Sequence, residues 1–305
     1  MNLHKDRAIF DQYIEATTIH LGINEEAIVE KDYFVTLFLR NLVRLRSNII
    51  FKGGTSLAKC YKLINRFSED IDLDIHTESG RPTEGQRRAL KSDILSVAQE
   101  IGLSHTNPEQ ARSRGEFSKY IFDYNPSFGH LGLNKHLIVE TATMIKSFPT
   151  ERMEAASFIY DYMLANGFAN EIEKYEMYPF HVQVQSAQRT FIDKLFALAD
   201  YYMNNQPDGY SRHLYDIFKI FPTITFDNAF RTLVDEVREA RKHHKTCVSA
   251  KDGVHLSEVL ENLLAQDFFR ADYKGITESL LFERVSYDET VEALANIAKY
   301  LSGVS

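Results

Sequence analysis

Apolar and polar positions along the chain change their period several times, and each change marks an element. A first helix is predicted over residues 3–19, closing before Gly22. Asn24 then stands as a cap, with Glu25 and Glu26 suited to the first turn of a second helix. In that helix Ile28, Val35, Leu39 and Leu42 recur on one face. A short apolar strand over 48–51 runs into Lys52-Gly53-Gly54-Thr55-Ser56, and a helix carrying Leu57, Tyr61 and Ile64 follows. After a turn over 66–69, acid and apolar residues alternate strictly from Asp70 to Ile75, the period of a strand. A polar helix is predicted over 83–101, and strands over 117–124, 137–145 and 181–185. From residue 187 onward apolar residues fall three and four apart, which predicts helices. The pattern describes an α+β chain, with a mixed-sheet core over 1–186 and a helical C-terminal domain over 187–305. There is no repeat, low-complexity tract or Pro/Gly-rich linker.

Composition narrows the function more than the fold. A chain of 305 residues can hold two domains, and 21 Phe and 16 Tyr supply much of a core. A net charge of -8 argues against strong sequence-blind binding to long nucleic acid, which needs Lys and Arg to neutralise phosphates, although a local basic face is compatible with it. Cys60 and Cys247 are too few and too far apart for a disulfide framework or a zinc site, and read as buried thiols in a reducing compartment. The charged residues 1–7 lack the apolar core of a signal peptide, and no apolar run approaches the ~20 residues that span a bilayer. A cytoplasmic protein with no membrane partner is expected.

The candidate chemistry centres on Asp70 and Asp72. Two residues apart on a strand, they point to one face about 6.6 Å apart, at ~3.3 Å per residue. Paired carboxylates suit hard cations, and two such ions about 3.5–4 Å apart can activate an attacking hydroxyl and neutralise a leaving pyrophosphate. An Asp-x-Asp alone equally suits a solvent-facing strand edge. Upstream, Gly53 and Gly54 lie between strand and helix, where glycine lets a phosphate approach the backbone, and Thr55 and Ser56 add hydroxyl donors. Such a turn is also an ordinary tight connection. Here, however, it leads straight into the acidic strand. Glu140, an acid in the apolar run Leu137-Ile138-Val139, is the candidate third metal ligand, or else an outward-facing strand residue. Asp74 shares the parity of the pair but sits one step further along.

These segments together resemble a known family. Lys52-Gly53-Gly54-Thr55-Ser56-Leu57 and Arg66-Phe67-Ser68-Glu69-Asp70-Ile71-Asp72-Leu73 resemble the AbiEii/AbiGii toxin nucleotidyltransferases, distant relatives of DNA polymerase beta often encoded beside an antitoxin. Glu30-Lys31-Asp32-Tyr33-Phe34, the run from Phe191 to Leu198 and the run from Arg212 to Ile217 are similar to further family motifs, so the resemblance spans roughly 28–218. It implies a polymerase-beta-like core binding a nucleoside triphosphate with Mg2+ or Mn2+. Asp70 and Asp72 would bind the metal, with Ser68 beside the phosphates. Lys194 would neutralise the triphosphate, and Asp216 would complete the catalytic set. Lys31 and Arg66 join the nucleotide-binding set by the same resemblance. An RNA acceptor, tRNA in particular, and a cognate antitoxin partner are implied as well. His213 stands where many members carry an acid.

Other readings follow from the residues alone. Lys194 can be a surface helix lysine, Lys31 an ion-pair partner of a nearby acid, and Asp216 a helix-surface acid paired with Arg212 four residues back. The acceptor can be a protein side chain or a small molecule such as a sugar phosphate or antibiotic, and a nucleotide-binding module without turnover is the rival from another class. The basic run 238–245 and the cluster Arg81, Arg87, Arg88 and Lys91 are each either a contact face or a solvated helix surface.

Overall fold

The computed structural model describes residues 1–68, 70–78, 80–111, 115–129 and 135–303, so Glu69 of the acidic motif lies outside it. The chain divides into two compact units. One comprises Met1–Cys60 and Ser68–Gln185, the other Tyr61–Phe67 and Ser186–Ser305.

The first unit is built on a mixed sheet with seven strands among the described residues, in the order β3-β4-β5-β2-β1-β7-β6. These strands are β1 (Ile49–Lys52), β2 (Asp70–Ile75), β3 (Ser104–His105), β4 (Phe117–Asp123), β5 (His136–Ala142), β6 (Thr150–Ala155) and β7 (Phe180–Gln185). Pairs β1–β7 and β2–β5 are parallel, and the remaining neighbours antiparallel. The acidic run forms β2 over the residues its alternation predicts. The sequence reading passes over β6, whose segment TERMEA has no apolar alternation because it closes the polar edge of the sheet.

Helix α1 (Arg7–Leu21) ends on Gly22, whose φ of 64° gives the left-handed cap. Helix α2 (Glu26–Leu45) starts after Glu25 rather than Asn24 and has no side-chain cap. It is buried on nearly every side, not along one stripe, because α1, α4 (Glu84–Glu100), α5 (Phe158–Ala165) and β5 all pack on it. Two of its acids are therefore satisfied internally. Asp32 accepts from Lys59 Nζ at 2.5 Å and from Phe158 N at 2.8 Å, while Glu30 accepts from the amides of Ser127 and Phe128. Helix α3 (Gly53–Lys59) is short, so Tyr61 and Ile64 lie beyond it, and α6 (Ala169–Lys174) leads toward β7.

The second unit is helical: α7 (Ala187–Met203), α8 (Arg212–Ile220), α9 (Asn228–Arg241), α10 (Leu256–Ala265), α11 (Arg270–Gly275) and α12 (Tyr287–Ser302). Ser186 caps α7, and Ser286 with Glu289 forms a capping box on α12. Phe191, Leu195, Leu214, Ile217, Leu260 and Leu294 are buried in its core. Segment Tyr61–Phe67 belongs to this unit by direct bonds. Phe67 N donates to Leu280 O, Phe282 N to Asn65 O, and Asn65 N to Tyr215 Oη.

Candidate active site

In the first unit Asp70 and Asp72 are half-buried while Ile71, Leu73 and Asp74 are buried, so the two acids share the open face of β2. Asp74 is structural. Its carboxylate accepts from the amide and hydroxyl of Ser147 and from the Ile75 amide.

Gly53 shows why the turn needs glycine. Its φ is 77°, and a β-carbon there would stand 2.0 Å from Asp72 Oδ2. The turn and the acid are in direct contact.

The hydroxyls beside this turn are already engaged. Thr55 Oγ1 lies 2.5 Å from Asp70 O and 3.0 Å from Ser68 Oγ, tying α3 to the start of β2. Ser56 Oγ donates to Gly53 O at 2.9 Å and is fully buried. In the resting chain both residues hold the turn against the strand, and Ser68 is half-buried beside Thr55.

Strand register extends the face into a row of charges. Lys52 on β1 stands opposite Asp72, Asp72 opposite Glu140 on β5, and Glu140 opposite Lys119 on β4. Lys119 Nζ donates to Glu140 Oε1 at 2.9 Å, and Lys52 Nζ reaches Ala142 O at 2.9 Å. Burial alone would lower the Lys119 pKa, but the carboxylates of Glu140, Asp70 and Asp72 outweigh it and raise it. Lys52 and Lys119 are the residues that sequence reasoning missed. Only the pairing of four strands from distant segments brings them beside the acids.

Among the described residues, no three or more His, Cys, Asp or Glu side chains are gathered into a metal-holding group. The donor set still fits magnesium, which commonly takes one or two protein carboxylates and completes its shell with phosphate and water.

Lys31 is fully buried within α2. The second unit holds Arg66, Lys194 and Asp216. Asp216 is fully buried and does not pair with Arg212 at the helix surface. Arg66 closes a two-pronged fork on it, Nε to Oδ1 at 2.6 Å and Nη2 to Oδ2 at 2.7 Å, with Nη1 donating to Phe67 O. Lys194 Nζ lies 2.7 Å from Asp216 Oδ2 and donates to His213 Nδ1 at 3.2 Å. Burial would raise the Asp216 pKa, but Arg66 and Lys194 hold it well below the usual carboxylate range. Burial, reinforced by Lys194, pushes His213 well below the ordinary histidine value, so the imidazole is neutral. Two cations then share one carboxylate, leaving a formal surplus of one positive charge.

The two basic segments are tied locally. Arg87 donates to Pro82 O, Arg88 pairs with Glu84, Arg238 donates to Val254 O, and Arg241 pairs with Asp193 and Asp200. No helix among the described residues is long and apolar enough to cross a membrane.

A search of curated proteins returns no match. A family described as "Nucleotidyl transferase AbiEii toxin, Type IV TA system" matches residues 37–296. That span includes β1, α3 and the acid pair of β2, and it continues through Arg66, Lys194 and Asp216 into the helical segment beyond residue 220, where motifs alone carried no resemblance. The chain belongs to the AbiEii nucleotidyl transferase toxin family and is a nucleotidyltransferase.

Proposed function

We propose that this enzyme moves a nucleoside monophosphate from a nucleoside triphosphate to an acceptor hydroxyl on RNA, of the tRNA class, in a magnesium-dependent reaction that a cognate antitoxin counteracts. The observation that carries the reading is the pair Asp70 and Asp72, half-exposed on one strand face with Gly53 pressed against Asp72.

Asp70 and Asp72 would hold the magnesium, with Glu140 as a third oxygen donor. When bound, the ion supplies charge neutralisation at the phosphates and a more acidic acceptor hydroxyl. Gly53, half-buried, would let the phosphates meet the backbone at the turn, with Gly54 and the hydroxyl residues Thr55, Ser56 and Ser68 beside it. By the family pattern Lys194 would be the cation for the triphosphate. Its neutral neighbour His213 accepts a hydrogen bond without cancelling charge, and the surplus positive charge around Asp216 has the sign a triphosphate needs. Arg66 is one of the two cations in that surplus, and Lys31 would lend its own charge from α2. The acceptor oxygen bonds to the α-phosphorus as the bridge to the β-phosphate breaks, pyrophosphate leaves, and the hydroxyl proton passes to solvent. A net charge of -8 favours recognition of one RNA end over coverage of a long strand.

The test offers total RNA and total protein separately, each with the four α-labelled nucleotides. Label on RNA with the wild-type protein, and none with Asp70→Ala, is the expected result. Label retained by protein would move the acceptor to a side-chain hydroxyl, and full transfer by Asp70→Ala would refute the metal assignment.

A further inference from the structure

Tyr210, in the turn between α7 and α8, is not accounted for by the transfer chemistry. Its ring lies on that of Tyr201 from α7, with centroids 3.5 Å apart and planes 11° from parallel. His213 is also nearly parallel to Tyr201, at 10° and 6.1 Å. Two phenols left to themselves favour an offset or edge-on arrangement over full overlap. The chain around Tyr210 therefore sets this one. Asp272, buried on α11, accepts from the amides of Gly209 and Ser211 at 2.8 and 2.9 Å, and Ser211 Oγ lies 2.7 Å from Thr277 Oγ1. With the residues before and after it fastened, Tyr210 is held in place by its own backbone.

Solvent reaches this pair. Tyr201 and Tyr210 are half-buried, Asp208 and Gly209 are exposed, and a β-carbon on Gly209 would meet nothing within 4 Å. Among the described residues, no ring other than Tyr201 stacks on Tyr210. Arg212 follows two positions later and is half-buried, and among the described residues no hydrogen bond or ion pair reaches it. Its charge is felt by Tyr201, Lys194 and His213. His213 in turn accepts a hydrogen bond from Lys194. The stacked rings, Arg212 and the cations around Asp216 thus form one connected group within the second unit.

We propose that Tyr210, backed by Tyr201, is a stacking platform for an unpaired nucleobase whose phosphates lie toward Arg212 and Lys194. The inference deepens the transfer reading and rests on it, because it takes Lys194 as a cation for phosphate. A flat ring with one face covered offers the other to a base, and every base has a π-face to match it. Fixing the ring in advance lowers the ordering cost of binding. The guanidinium of Arg212 serves the phosphate, whose charge a phenol cannot neutralise. Stacking reads no hydrogen-bond pattern, so all four bases fit the platform. The base can come from the incoming nucleoside triphosphate or from the end of the acceptor RNA, and both present the same chemistry.

The chain contains no Trp, so Tyr210→Trp puts a single indole on the platform, where a stacked base quenches its fluorescence. The four nucleoside triphosphates, a short single-stranded RNA and inorganic tripolyphosphate are titrated separately into this variant. Quenching by the nucleotides and none by tripolyphosphate is the expected result, and it assigns the platform to the incoming base. Quenching by RNA alone supports the platform and assigns it to the acceptor end. No quenching by either, or equal quenching by tripolyphosphate, overturns the proposal. In transfer assays with Tyr210→Ala, KM for the partner that quenches should rise about tenfold with kcat nearly kept, and Tyr210→Phe should restore it, since the ring rather than the hydroxyl is needed. A lowered melting temperature with KM unchanged would mean that Tyr210 only packs on Tyr201, and would also overturn it. If Tyr210→Ala does not fold, the quenching titration decides alone. Quenching needs no turnover, so its outcome is independent of whether Asp70→Ala abolishes transfer, and failure of the platform is thereby separated from failure of the transfer reading.

Discussion

A β-carbon on Gly53 would overlap Asp72, at 2.0 Å from Oδ2 and 2.9 Å from Cγ. Gly53→Ala must therefore move the acid or the turn, and it also places a side chain at a φ of 77°. We expect nucleotide transfer to fall about 100-fold, since displacements near 1 Å have that effect on positioned groups. Stability should drop by only about 1–3 kcal/mol. Gly22→Ala is the control. Its φ is 64° but nothing lies within 4 Å of the added carbon, so it should lose stability and keep activity.

Glu140 carries two readings that one variant separates. If it serves only its pair with Lys119, whose side chains are 21% and 41% exposed, Glu140→Gln costs less than about 1 kcal/mol and leaves the metal requirement alone. If it is the third oxygen donor, the magnesium concentration for half-maximal transfer should rise about tenfold with the melting temperature nearly unchanged. We expect the second outcome. A magnesium titration of the transfer rate decides it.

Much of this site was legible in sequence because its parts are local. The alternation at 70–75 places Asp70 and Asp72 on one face by strand geometry alone, and the glycine turn is 17 residues upstream of Asp70. What could not be read depends on pairing at a distance. Lys52 and Lys119 reach the acids only through the order β4-β5-β2-β1. Arg66 and Asp216 are 150 residues apart, and nothing local distinguishes Asp216 from a surface acid beside Arg212. Helix α2 misled in another way. Its apolar stripe implies one buried face, yet Glu30, Lys31 and Asp32 are interior because several elements close around them.

Asp216 is the counterion of two enclosed cations, so removing it should be far more damaging than removing a surface acid. Asp216→Ala strands Arg66 and Lys194 in the second unit and should cost about 3–5 kcal/mol in urea unfolding. Asp216→Ala combined with Arg66→Leu removes one stranded charge and should recover part of that loss. Transfer activity should stay absent in both. Recovery of activity in the double variant would show that the cluster is only structural.

The last expectation concerns pH and rests on two histidines kept neutral by burial. His4, between Tyr33 Oη and Ile101 O, is pushed down to about 4, and His213 is pushed well below its ordinary value. In the unfolded chain each titrates near 6.5, so between that value and its folded pKa the unfolded state binds the extra proton. Stability from these groups is complete above pH 6.5 and is lost as pH falls below it. The limit is about 1.4 kcal/mol per pH unit for each proton, with His4 contributing less because it is partly open to solvent. The depressed acid Asp216 has the same sign in a different window, since its contribution is lost only below the unfolded value near 3.9. Unfolding measured between pH 6.5 and 5 should therefore be governed mainly by these histidines, with smaller contributions from His105, also lowered by burial, and Glu30, raised by it. The wild-type slope should flatten in His213→Gln and flatten further when His4→Gln is added. An unchanged slope in the double variant would mean that neither imidazole is held neutral in the folded chain.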